Sequence, residues 1–135
     1  MRPILTAIVL LFAFQADSAI IYVNNQIFPS GDGTSWASAY TFLREAIDNA
    51  APNDEIWVAA GIHAPAFGDP NDDGFLLPEG LKIYGGFSGT ETVRNQRDWA
   101  KNITKMSGNP GVLDQQNYFR TLLNLEGVDI VVDGF

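Results

Sequence analysis

Apolar and polar positions along the chain alternate between strand-like and helix-like spacing. Ile20-Ile21-Tyr22-Val23 is β-branched and aromatic and predicts a first strand. Asn24-Asn25 ends it, and Pro29-Ser30-Gly31-Asp32-Gly33-Thr34 is a turn cluster. Between Ser38 and Ala50 the spacing becomes helical: Leu43, Ala46, Ile47 and Ala50 form one apolar stripe, with Arg44, Glu45 and Asp48 opposite. Ser38 or Thr41 can cap this helix, and Pro52 stops it. Glu55 to Ala60 predicts a compact strand ended by Gly61. Phe75 to Tyr84 returns to strand character around a Pro78-Glu79-Gly80 turn, and Thr90 to Thr104 reads as a polar loop. Phe119, Thr121, Leu123 and Leu125 alternate, and after Glu126-Gly127 a last apolar strand runs from Val128 to Phe135.

Apolar strands that end in glycine recur, at Gly61, at Gly85-Gly86, at Gly108 and at Gly134. The steps from Trp57 to Ile83 and from Ile83 to Met106 are both about 25 residues, the length of one coil of a solenoid. The pattern predicts an all-β solenoid with an incomplete number of coils. Its single short helix is expected to cap the amino-terminal end, which would otherwise show an apolar cross-section to water.

The first nineteen residues differ from the rest. Arg2 precedes an apolar run from Ile4 to Phe14, followed by the small and polar Gln15-Ala16-Asp17-Ser18-Ala19. A basic start, an apolar core and a small-residue exit describe a secretory signal peptide, cleaved after Ala16, Ser18 or Ala19. The run is shorter than the ~20 residues of a membrane span, so none is expected once the leader is removed. Residues 1–19 are therefore read as a signal peptide and 20–135 as one domain, secreted or on the cell surface. The 46% hydrophobic content suits a packed chain. A formal charge of -8 disfavours nucleic acid and anionic lipid as partners. The chain has no cysteine, which excludes disulfides and thiolate metal sites.

Five motifs in order carry a resemblance. They are Gly33-Thr34-Ser35-Trp36-Ala37-Ser38-Ala39-Tyr40, Asp54-Glu55-Ile56-Trp57-Val58-Ala59-Ala60-Gly61, Tyr84-Gly85-Gly86-Phe87-Ser88-Gly89-Thr90-Glu91-Thr92, Gln96-Arg97-Asp98-Trp99 and Asp133-Gly134-Phe135. With these the chain resembles the amino-terminal part of right-handed parallel β-helix repeat proteins of the pectin-lyase-like fold, bacterial surface proteins among them. The resemblance implies a right-handed parallel β-helix and a longer protein continuing past Phe135. It also implies a structural or adhesion role on a polysaccharide or cell-surface component, with self-association through an open carboxyl-terminal coil. The rival it implies is part of a polysaccharide lyase or glycoside hydrolase, although no catalytic residue of such enzymes transfers to a position here.

Candidate chemistry is sparse. Asp69, Asn71 and Asp73, with Gly74 after them, have the alternate spacing of the first half of a calcium loop. The closing carboxylate would fall at Gly80, so calcium is a weak expectation and a calcium-dependent carbohydrate-binding module a further alternative. Arg97 and Trp99 could form a sugar-stacking platform or a salt bridge beside a buried indole. His63, the only histidine, is expected on a loop or the surface, which leaves no histidine metal cluster. Asp129 and Asp133 would stand ~13 Å apart along a strand, too far for a glycosidase pair. Ser88 reads as turn chemistry, and Trp36 and Trp57 as core.

Overall fold

The computed structural model describes residues 18–64, 74–107, 123–125 and 129–135. Among the described residues there are eight strands: β1 Ile20–Val23, β2 Glu55–Ala59, β3 Gly61–His63, β4 Phe75–Leu77, β5 Lys82–Phe87, β6 Thr104–Met106, β7 Leu123–Leu125 and β8 Val131–Asp133. An α-helix, α1, spans Leu43–Asn49. The main sheet has four parallel strands in the order β1-β2-β5-β8, and β3-β6 and β4-β7 form two separate parallel pairs.

The register of the main sheet sorts its side chains into two faces, because successive residues of a strand point opposite ways. Ile21, Ile56, Ile83 and Val132 form one row. With Val23 and Val58, the first three face a core completed by Leu43, Ala46 and Ile47 of α1, Phe75 and Leu77 of β4, and Leu81. On the other face Tyr22, Trp57 and Tyr84 lie side by side, and the row ends at Asp133. Trp36 and Phe87 complete this aromatic cluster, with Trp57 stacked on Phe87 at 4.8 Å.

Phe87 reaches that face because the pairing slips at Gly85-Gly86. The register moves from Trp57↔Tyr84 to Ala59↔Phe87, so an extra residue bulges out of β5 and reverses the alternation beyond it. Gly86 carries the bulge with φ +88, and a Cβ there would lie 2.9 Å from the Trp99 backbone.

Two local devices fix the chain before β2. Ser35 caps a 3₁₀ turn over Trp36–Ser38, and α1 proper begins only at Leu43. There Glu45 accepts hydrogen bonds from the Phe42 N–H (3.3 Å) and the Ser30 hydroxyl (2.6 Å), drawing the preceding loop onto the first turn. The 31–40 segment also covers the outer edge of β1: the Tyr22 N–H donates to the Gly33 carbonyl, the Tyr40 N–H to the Tyr22 carbonyl, and the Asn24 N–H to the Tyr40 carbonyl. The opposite edge, β8, has no partner strand among the described residues beyond β5.

The expected all-β solenoid is overturned. The described residues make a mixed α/β arrangement of one helix and small parallel sheets, without a closed solenoid. The repeat inferred from glycine-ended strands assumed that Trp57, Ile83 and Met106 mark successive coils. Instead, Met106 pairs with His63 in β3, and the residue beside Tyr84 is Asp133. The steps across the main sheet are uneven, from Ile20 to Glu55, to Lys82, to Val131. Gly86 marks a bulge and Gly61 opens β3, so neither ends a coil. The helix is likewise a side of the core, packed against β1, β2 and β4, and not an end cap.

Candidate functional site

The polar loop after β5 folds around one carboxylate. Glu91 accepts from the Ser88 N–H at 2.7 Å through Oε1, and from the Gly89 and Thr90 N–H groups at 3.0 Å each through Oε2. Consecutive N–H groups aimed at one point make an anion nest, here filled by the chain's own side chain. Burial works to raise the Glu91 pKa, but the backbone N–H bonds from Ser88 and Thr90 outweigh it and hold the carboxyl below its ordinary value. The Glu91 carbonyl accepts from Trp36 Nε1 at 2.9 Å, tying the nest to the aromatic cluster.

The rest of the loop is pinned to the bulge. Asp98 N–H and Asn102 Nδ2 both donate to the Gly86 carbonyl, at 2.8 and 3.2 Å. Gln96 Oε1 accepts from Thr92 and Val93 N–H groups, and Asp98 Oδ1 from those of Ala100 and Lys101. Between these anchors lies an open cleft of about 500 Å³, lined by Ser88, Thr90, Glu91, Gln96, Asp98, Lys101 and Asn102. That volume is ordinary for a small-ligand cleft, ~300–1,000 Å³.

After the internal bonds are made, the cleft keeps a mixed set of hydrogen-bonding groups. Gln96 Nε2 and the Lys101 ammonium are donors without a protein partner among the described residues; Asn102 Oδ1 and Asp98 Oδ2 are acceptors in the same condition. The Ser88 and Thr90 hydroxyls share one bond at 3.0 Å, and the Ser88 hydroxyl also bonds to the Glu91 carboxylate. Trp99 sits in the turn between lining residues Asp98 and Lys101, and 60% of it is exposed.

Arg97 joins this loop to the sheet edge. Its guanidinium pairs with the Asp133 carboxylate and donates to the Gly85 and Asp133 carbonyls at 3.3 Å. It also lies 5.0 Å from the Tyr84 ring centroid and 5.3 Å from that of Trp99. Arg94 stacks on Tyr84 at 4.5 Å and pairs with Glu55 at 2.7 Å, so two cations cover one tyrosine.

Of the residues singled out from sequence, Arg97 and Trp99 come together beside the cleft, with the guanidinium over an exposed indole rather than a buried one. Asp69, Asn71 and Asp73 lie outside the described residues, and among those described no three His, Cys, Asp or Glu side chains gather as a metal site. Asp133 belongs to the Arg97 clamp, while Asp129 occupies a turn with φ 61. His63 is not on the surface: it is 3% exposed, and its Nε2–H donates to the Ala59 carbonyl at 3.1 Å. Sequence reading missed the cleft residues Glu91, Gln96, Asp98, Lys101 and Asn102. The available signal was a carboxylate three residues after Ser88 in a glycine-containing turn.

Comparison of the chain with protein-family models, curated proteins and solved structures finds no match to any of them. The resemblance to β-helix repeat proteins therefore rests on the five motifs alone.

Proposed function

We propose that the chain is a non-catalytic adhesion or display module of an exported protein, secreted or held at the cell surface, that binds a neutral polysaccharide at the cleft beside Trp99. The observation that carries this reading is how the two cleft carboxylates are used. Glu91 spends both oxygens on three backbone N–H groups, while Asp98 spends Oδ1 on two and keeps Oδ2 open, so one carboxylate faces the cleft without a second. Glycoside hydrolysis needs two carboxyl groups free to act across the scissile bond. The remaining groups, an amide donor, an amide acceptor, a carboxylate oxygen and an ammonium, suit the donors and acceptors of sugar hydroxyls. An exposed indole suits the apolar face of a pyranose ring. With a formal charge of -8 on the chain, a neutral glycan is favoured over a uronate.

Calorimetric titration with neutral and uronate oligosaccharides tests the reading. Binding of a neutral glycan, weakened at least about ten-fold by Trp99→Ala, is expected; ten-fold corresponds to about 1.4 kcal/mol. Lys101→Glu should change it little. Binding confined to uronates and abolished by Lys101→Glu would contradict the ligand class. Binding indifferent to Trp99→Ala would place the ligand elsewhere.

A further inference from the structure

The sequence leaves three cleavage positions open, and the environment of Ala19 separates them. Ala19 is exposed, yet its backbone is held at both ends: its N–H donates to Asp54 Oδ1 at 2.8 Å, and its carbonyl accepts from the Glu55 N–H at 2.9 Å. Asp54 is 6% exposed. Its second oxygen accepts from the Ala51 N–H at 2.8 Å, and no cationic side chain pairs with it among the described residues. A buried carboxylate satisfied only by neutral N–H groups is a costly arrangement, and a positive charge at the Ala19 nitrogen would relieve it.

We propose that the export leader is removed between Ser18 and Ala19, and that the α-ammonium so created ion-pairs with buried Asp54, fastening the start of β1 onto β2. The proposal rests on the export reading above. In the cleavage, water adds across the Ser18–Ala19 peptide bond: its hydroxyl goes to the Ser18 carbonyl carbon and a proton to the Ala19 nitrogen. The new acid's proton then passes to the amine, leaving a carboxylate on the leader and an ammonium on Ala19. Ala16 and Ser18 are the small residues that a leader-removing endopeptidase reads at this junction. Cleavage after Ala16 would leave an uncharged amide facing Asp54, and cleavage after Ala19 would delete both of the bonds Ala19 makes.

Amino-terminal sequencing and intact mass of protein recovered from the exported fraction should give Ala19 as the first residue. The Ala19 α-amine should titrate above its ordinary value of about 8, and return to it in Asp54→Asn. Because that variant can also disturb the Ala51 contact, a second measurement leaves Asp54 intact. Acetylating the α-amine of the processed chain should lower Tm by at least about 3 °C, and by much less in a processed Asp54→Asn chain. An exported chain that begins at Asp17 or Ile20, or an α-amine that titrates ordinarily, overturns the inference and leaves the export reading standing. A chain that is not exported, or is exported with Met1 retained, overturns both.

Discussion

Replacing Arg97 with Ala probes the junction on which cleft and sheet edge both depend. The side chain is 10% exposed and serves as ion-pair partner, carbonyl donor and aromatic cover at once. Asp133 is 54% exposed, so solvent screening holds the ion pair to about 0.5–1 kcal/mol. The guanidinium over Tyr84 and Trp99 adds about 0.5–1 kcal/mol for each ring. The 3.3 Å bonds to the carbonyls are long and add little. Together these come to about 1.5–3 kcal/mol, concentrated on β8, a short strand paired only with β5 among the described residues. Native-state hydrogen exchange of the Val131 amide, which donates to the Leu81 carbonyl at 3.1 Å, reads that docking directly. Arg97→Ala should reduce its protection roughly 10- to 150-fold, and Asp133→Asn, which removes only the ion pair, about 2- to 5-fold. Arg97→Lys should fall between them, since it keeps the charge and loses the planar fork. Equal losses for Arg97→Ala and Asp133→Asn would refute the stacking contribution. Unchanged protection in Arg97→Ala would refute the clamp.

Three further outcomes follow from single residues. Glu91→Gln should cost about 1–3 kcal/mol in urea unfolding, by removing the charge that gathers three N–H groups. Because the folded Glu91 pKa is depressed, its contribution is full above the ordinary value of 4.5 and is lost as pH falls through the folded value. The acid limb of a Tm-versus-pH curve should accordingly be shallower in the variant. Burial pushes the His63 pKa down, with the Ala59 bond opposing, so its contribution is full above the ordinary value of 6.5 and declines as pH falls toward the folded value. His63→Leu should flatten the Tm curve in that window, and an unchanged slope would contradict the assignment. Gly86→Ala should cost at least about 2 kcal/mol in urea midpoint terms, combining left-handed backbone strain with a contact on the Trp99 backbone.

What the sequence could and could not convey follows from the range of each interaction. The Leu43, Ala46 and Ile47 stripe and the Ile20–Val23 strand are local patterns, and the structure places both where the spacing puts them. Strand adjacency is not local. Met106 beside His63 and Asp133 beside Tyr84 are set by packing between distant segments, and equal spacing of glycine-ended runs misled the fold assignment. The bulge at Gly85-Gly86 is legible as a glycine pair, but its effect, turning Phe87 toward Trp57, needs the register. His63 lies in a short strand that sequence read as loop, and the exposure of Trp99 depends on how its turn meets the bulge. The cleft was invisible for the same reason. Glu91 and Asp98 look like solvated acids until their N–H donors are placed.

Incubating the purified chain with insoluble neutral and acidic polysaccharides, then assaying pellet and supernatant together, separates binding from turnover. The chain should sediment with a neutral polysaccharide, and Trp99→Ala should release it into the supernatant. Neither new reducing ends nor unsaturated uronides should accumulate in this binding-without-turnover reading. Release of either product at an ordinary enzymatic rate, about 1 s⁻¹ or faster, would contradict it.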